Sequence, residues 1–332
     1  VLNYSGMLFN KGNTRTPLSA IIGSRAKVTN HVEFVTGQEF TSGGGAQPGI
    51  SESASLTAPD ATVVTRTQKT NVTQIFQESV GISYGKMSNM GTLSGLNVAG
   101  QQANPMNELD FQVAAKMMKI NADIEYTFIN GAYNKATDDT KINKTRGLVT
   151  AITTNTKAMA SKPLGLWDIA DMVKKIYGQN APTDGLCLWC DAVTLFQINA
   201  DAVQNGTSVV PASRNINGIA LSSVVTPIGP VNLYLGEYLP SGTALLLNLS
   251  AIAPVFQPVP GKGNFFLEQL AKTGAGEKYQ LFGQIGLDHG PEWYHGKFTG
   301  ISTDFTAPTY SRSVFIANDA NNPVNTKAVT GG

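Results

Sequence analysis

Charge is scarce in this chain. Only 14% of its 332 residues are Asp, Glu, Lys or Arg, well below the quarter usual in globular domains, and the formal net charge is +1. A balance so near zero gives no global field to draw the molecule onto nucleic acid or an anionic membrane, so wholesale coating of DNA is disfavoured. Long apolar runs are missing too. None approaches the roughly 18 residues of a membrane span, and no basic segment leads into a signal-peptide core, so cytoplasmic synthesis and no membrane partner are expected. The chain opens on Val1 rather than Met, from which we expect that residues have been removed, by a processing protease or by choice of boundary.

Two cysteines and three histidines leave little material for metal or nucleophilic chemistry. The cysteines lie in Cys187-Leu188-Trp189-Cys190, an apolar run after Pro182-Thr183-Asp184-Gly185 that reads as a buried strand. Residues three apart on a strand face opposite ways, so these thiols cannot share a zinc. Asp191 then caps a helix carrying Leu195, Phe196 and Ile198. His289, Glu292 and His295 cluster in sequence, but Gly290 and Pro291 break any helix that would put them on one face. Gly290 to Lys297 has the wrong spacing for a phosphate loop and Phe298 where a magnesium-binding hydroxyl is needed; Gly261-Lys262-Gly263 and Gly274 to Lys278 read as turns. No serine sits in a nucleophile elbow, and Asp138/Asp139 and Asp168/Asp171 suit a polar loop and a helix start. No catalytic, cofactor-binding or metal-ligating residue is assigned, and no enzyme activity is expected.

Glycine, by contrast, is abundant at 34 residues, and 42% hydrophobic content suffices for a sizeable core. His31 to Thr36 and Thr62 to Thr67 are β-branched stretches flanking a Gly-, Ser-, Ala- and Pro-rich segment, Thr41 to Asp60. The pattern predicts a two-stranded arm with an adaptable tip at Gly43-Gly44-Gly45 and Gln47-Pro48-Gly49. An isolated hairpin is marginal in water, so a partner surface is implied.

A long helix follows the arm. Asn104 suits the N-cap, Pro105 the first helical position and Glu108 the positive end of the dipole. Leu109, Val113, Lys116/Met117, Ile120, Ile124 and Phe128 recur at steps of three and four, one apolar stripe on a helix running from Pro105 to about Lys135. Trp167 to Tyr177 is a second amphipathic helix, with Gly178 as terminator. Ile219 to Thr226, Val231 to Leu235, Ala244 to Leu249, Ile252 to Gln257, Phe265 to Leu270 and Tyr279 to Leu287 read as strands, an α+β class without βαβ rhythm. The segment after Thr306 reads as an extended tail.

This order of parts resembles the HK97-like major capsid proteins of tailed phages, and most closely the SU10-like major head proteins. The arm from Val32 to Thr67, the strand Asn71 to Val80 leading to the helix from Asn104, the Cys187 to Ala192 strand-to-helix step and the returning strand Tyr279 to Leu287 carry it. The resemblance implies an N-terminal arm over 1–30, an extended β-hairpin over 31–70, and a peripheral domain over 71–185 with a spine helix at about 105–135. An axial domain over 186–257, strands returning to the peripheral domain over 258–305 and a C-terminal tail over 306–332 would complete it. It further implies self-assembly into pentamers and hexamers of an icosahedral shell enclosing packaged double-stranded DNA held by weak non-specific contact, with cement, portal and scaffolding proteins as further partners in the virion. The arm would lie across a neighbour, with Phe34, Val35 and Phe40 as anchors and Gly43, Gly44 and Gly45 as the adaptable tip. Lys116, Lys119 and Arg146 are basic residues able to meet phosphate. A bacterial nanocompartment shell of the same fold, a β-rich virion decoration module and, more remotely, an enzyme built on the histidine cluster are the alternatives.

Overall fold

The computed structural model describes residues 10, 12–43, 45, 47, 49–87, 108–204, 210–216 and 219–304. In chain order the elements are α1 (Pro17–Ile22), β1 (Lys27–Val28), β2 (Glu33–Phe40), β3 (Arg66–Val72), β4 (Gln74–Ser83), α2 (Tyr84–Met87), α3 (Glu108–Asn130), α4 (Leu148–Ala151), β5 (Thr156–Ala158), α5 (Leu166–Gly178), β6 (Leu186–Cys190) and α6 (Ala192–Gln204). β7 (Val210–Ile216), β8 (Ile219–Val225), β9 (Pro230–Leu235), β10 (Ala244–Asn248), β11 (Ala253–Phe256), β12 (Phe265–Gln269), β13 (Gly276–Asp288) and β14 (Gly296–Thr299) follow. The class is α+β, as expected.

Strand β6 organises the body. All five of its residues, and all five of β10, are buried, the signature of a strand covered on both faces. They sit at the centre of a seven-stranded sheet, ordered β5-β14-β10-β6-β9-β8-β7. Cys187, Trp189, Leu245 and Leu247 face one core, shared with α1, α3 and α4; Leu188, Cys190, Ala244 and Leu246 face the other, closed by α5 and α6. The cysteines therefore point to opposite faces, as their spacing requires. Burial pushes the Cys187 thiol up to about 12 and raises that of Cys190 as well, so both are inert. Gly236 leaves room for the Trp189 indole, since a Cβ there would come within 2.4 Å of the ring, and Tyr234 stacks on that ring at 5.3 Å.

The second sheet is built on β13, which pairs with β4 along one edge, from Gly276↔Ser83 to Ile285↔Gln74, and with β12 and β11 along the other. β1 adds in parallel outside β11. The sheets do not follow the segment boundaries expected from sequence. β5 and β14, from outside 186–257, complete the seven-stranded sheet, and β11, from within it, joins the other.

The long helix ends earlier than expected. Its 23 described residues span about 35 Å, and the Asn104-Pro105 start lies outside the described residues. It stops at Asn130 instead of reaching Lys135, because the chain from Thr145 to Gly147 crosses its end. Gly147 donates its N–H to the Gly131 carbonyl at 2.8 Å, and a Cβ on Gly131 would lie 2.4 Å from the Thr145 carbonyl oxygen. Residues 131–147 instead return on themselves through an Asn134↔Lys144 bridge. Ile120, Ile124 and Phe128 of the apolar stripe are buried, whereas Met117 is exposed.

Candidate inter-subunit surface

Among the described residues, the arm is the longest exposed stretch. β2 and β3 pair from Glu33↔Val72 to Phe40↔Arg66, with a bulge between Val35 and Gly37. The second strand thus begins at Arg66, not at the expected Thr62, and residues 62–65 lie in the tip. Every described residue from 41 to 68 is exposed. A Cβ on Gly43 or Gly45 would point into open space, and Gly45 has φ +87°, a conformation other residues rarely adopt. Gly44 lies outside the described residues. Val35 and Phe40 are exposed, Phe40 by 66%. Phe34 differs: it is half-buried and lies over Gly286 of its own β13, where a Cβ would come within 2.7 Å of the ring.

Sequence reading overlooked the apolar side chains of the tip itself. Ile50, Leu56, Val63 and Val64 are 55–88% exposed, an unusual amount of apolar surface to leave in water. Ile50 and Leu56 stand as isolated aliphatics in the Gly-, Ser-, Ala- and Pro-rich segment, and Val63 and Val64 belong to the stretch read as a strand. Val64 and Phe40 also line a groove of about 510 Å³ along the arm, together with Gln38, Glu39, Ser42 and Arg66.

The arm's base is held by buried polar contacts. Asn71 is fully buried; its amide nitrogen donates to the Leu287 carbonyl at 2.8 Å, and its amide oxygen accepts from the N–H of Arg146 at 2.8 Å. Thr73 donates to the Gln257 side chain at 2.6 Å. Lys69 on β3 lies 3.6 Å from Glu39 and 3.7 Å from Glu292, and Lys135 pairs with Glu33 at 2.5 Å. A Cβ on Gly37, beside the bulge, would lie 3.6 Å from the Pro291 backbone nitrogen, so the arm runs close to the Gly290-Pro291 turn. The arm is thus clamped at its root and exposed at every described residue from 41 to 68.

The histidine cluster serves the same root. His295 Nδ1 accepts the Asn248 N–H at 3.1 Å, and its Nε2 lies 2.8 Å from the His289 carbonyl. Burial pulls its pKa down to about 4. Burial also lowers the pKa of His289, whose Nδ1 lies 2.8 Å from the Gly290 carbonyl. Glu292 accepts the N–H groups of Thr153 and Thr154 and the Thr154 hydroxyl. Burial acts to raise its pKa, but these bonds and Lys69 outweigh it and hold the carboxyl below its ordinary value. Among the described residues, no three metal-ligating side chains come together, and no helix is long and apolar enough to cross a membrane. Asp168 caps α5 through the Gly165 N–H and Asp171 pairs with Lys157, as their positions suggested. Lys116 and Lys119 are both paired with Glu78, and Arg146 lies over the Tyr133 ring at 4.3 Å.

The N-terminal segment is strapped across the spine helix. Glu125, fully buried on α3, accepts the N–H groups of Leu18 and Ser19, each at 2.8 Å, and the Ser19 hydroxyl at 2.5 Å. Further along, Lys27 pairs with Asp288 at 2.6 Å, and β1 extends the second sheet.

An exposed two-stranded arm, a long helix laid on the β13 sheet and a mixed seven-stranded sheet whose strands β6 and β10 are buried on both faces are the parts of an HK97-type shell subunit. Solved structures share this fold at low identity. The SrpI encapsulin of Synechococcus elongatus PCC 7942 superposes with a TM-score of 0.60 at 11% identity, covering 92% of this chain and 96% of that one. The capsid of Cyanophage A-1(L) gives 0.57 at 12%, covering 91% and 96%, and that of Myoviridae Phage XM1 gives 0.56 at 11%, covering 90% and 95%. No curated protein sequence matches the chain. The SU10 major capsid protein family model matches residues 2–302, and the chain belongs to that family. It is a phage major capsid protein, a structural component of the virion that assembles with other subunits into a shell.

Proposed function

We propose that this chain forms pentamers and hexamers of an icosahedral shell around packaged double-stranded DNA, with the 33–72 hairpin as the element that joins neighbouring subunits. The observation that carries the reading is the arm, fixed at its root by Asn71, Thr73 and Lys69 and exposed along its whole tip. Val35 and Phe40, with Ile50, Leu56, Val63 and Val64, supply the apolar contacts, while Phe34 orients the arm from within its own chain. Many modest contacts repeated by symmetry give a closed shell its stability, and Gly43, Gly44 and Gly45 let one arm meet neighbours at different angles. The axial contacts around five- and six-fold axes fall to the 186–257 region, carried by the seven-stranded sheet. The N-terminal arm, expected from the resemblance to reach a neighbour, is instead strapped on its own subunit over residues 13–28; residues 306–332 reach adjacent subunits, and cement, portal and scaffolding proteins complete the particle made in the host cytoplasm. A near-neutral chain with Lys116 and Lys119 already paired suits loose, non-specific contact with DNA. Electron microscopy and mass photometry of the purified protein test the proposal. Closed shells or free capsomers support it, and deletion of Ser42 to Ala58 is expected to leave folded subunits that no longer close. A monomer unaffected by that deletion refutes it.

The likeness to an encapsulin over 92% of this chain favours one second reading, a nanocompartment shell holding protein cargo. Absorbance ratio and nuclease-protected nucleic acid in native particles separate the two.

A further inference from the structure

The free half of the spine helix borders an apolar groove of about 660 Å³, lined on the helix by Phe111, Met118, Ala122 and Tyr126 and across from it by Tyr238 and Asn13. Phe111, Met118 and Tyr126 are 37%, 44% and 54% exposed, an apolar surface on a helix whose opposite side, at Ile120, Ile124 and Phe128, is buried against the core. We propose that this groove is the docking site of residues 1–9 of the same chain.

Four observations support that occupant. Asn10, Asn13 and Thr14 themselves form one wall of the groove, so the preceding segment leaves from inside it. That exit is fixed in place: Asn13 donates to Glu237 at 2.9 Å, Arg15 pairs with Glu237 at 3.1 Å, and the Tyr238 hydroxyl donates to the Asn13 carbonyl at 2.8 Å. The segment Val1-Leu2-Asn3-Tyr4-Ser5-Gly6-Met7-Leu8-Phe9 has no charged side chain and six apolar or aromatic residues, in a chain with 42% hydrophobic residues overall. Lys119 and Asp123 also line the groove; Lys119 is already paired with Glu78, and Asp123 is exposed to solvent. Its reach also fits. Nine extended residues span about 30 Å, enough to follow the helix from Tyr126 back to Phe111, about 22 Å. Because the exit lies within the groove, docking in the same subunit has the smallest loop to close and the least entropy to lose. The docked segment gives the unsupported half of α3 its missing apolar cover.

The native chain carries its own control. Met117 and Met118 are 36% and 44% exposed on α3, but only Met118 lines the groove. If the groove were bare, dilute hydrogen peroxide would oxidise Met118 at least as fast as Met117. With residues 1–9 docked, Met118 is expected to react slower by about threefold or more, and deletion of 1–9 to remove the difference. Equal rates in the native chain, or continued protection of Met118 after the deletion, overturn the proposal. A second measurement identifies the donor chain. Leu8→Cys combined with Met118→Cys is expected to form an intrachain disulfide, seen as a faster monomer band on a non-reducing gel. Cys187 and Cys190 are buried and do not compete. A disulfide found only as an interchain dimer overturns docking within one subunit and assigns the groove to a neighbour's segment.

Discussion

Acid should loosen this subunit through His295 before its carboxylates titrate. The imidazole is fully buried, and because a backbone N–H can only donate, the Asn248 N–H facing Nδ1 fixes the ring proton on Nε2, which then donates to the His289 carbonyl. A second proton would have to go on Nδ1, setting two donors head to head in a site closed to bulk solvent. Burial accordingly lowers the pKa from 6.5 to about 4. The unfolded chain takes up this proton near pH 6.5 and the folded chain only near pH 4. The stabilisation is thus complete above pH 6.5 and is lost as pH falls towards 4, roughly 3 kcal/mol in all at about 1.4 kcal/mol per pH unit. His289, lowered by burial, acts in the same sense. Glu125, whose pKa burial raises, acts in the opposite one, since its folded form binds the proton more readily than the unfolded chain does. Urea unfolding of unassembled subunits between pH 7 and 5 tests this where most carboxylates stay ionised. We expect a loss of about 2 kcal/mol, a midpoint shift of several tenths molar. His295→Gln should be less stable at pH 7 but with a visibly shallower slope. An unchanged slope in that variant, or an imidazole ¹⁵N signal showing the charged ring at pH 6, would refute the argument.

Glu125→Ala removes the acceptor for three hydrogen bonds and leaves the Leu18 N–H buried and unpaired, so a cost of about 3–5 kcal/mol is expected, against about 1–2 for Glu125→Gln. Thermal melting reads the difference, and faster tryptic cleavage at Arg15 and Arg25 in the Ala variant reports release of the strap. Gly131→Ala should destabilise by about 2 kcal/mol or more, although helix propensity alone favours alanine by about 1, because the new methyl meets the Thr145 and Thr127 carbonyl oxygens at 2.4 and 2.5 Å. A rise in melting temperature would show that the crossing of residues 145–147 yields easily.

Sequence was a good guide wherever a local pattern was carried by a locally specified element. β6, β8, β9, β10, β12 and α5 fall within a residue or two of expectation, since their apolar runs end at Gly-, Pro- and Asn-rich turns that break structure whatever the surroundings. It misjudged places where distant chain decides. The extension of α3 to Lys135 was plausible from residues 131–135 alone, and only the approach of Gly147, sixteen residues beyond Gly131, ends the helix there. Helix α1 and the short strands β1, β5 and β14 left no usable signal, because each is only 2–6 residues long and takes its shape from a neighbour: Glu125 for α1, β11 for β1, β14 for β5 and β10 for β14. The arm was legible as an arm, but Phe34 as an internal prop was not, because its partner, Gly286, lies some 250 residues away.

The chain by itself determined that there would be an exposed β arm, a long one-faced helix and a buried strand whose two cysteines could never meet. Glycine density, helical period and strand alternation act over a few residues and need no partner to be read. Tertiary structure alone decided what each of these does. It spent Lys116 and Lys119 on Glu78, turned the histidine cluster into the arm's foundation and Glu125 into the anchor of the N-terminal strap, and left an apolar groove beside the spine helix. Those outcomes depend on which distant groups come within hydrogen-bonding or van der Waals reach, a property of the packed chain that no local pattern encodes.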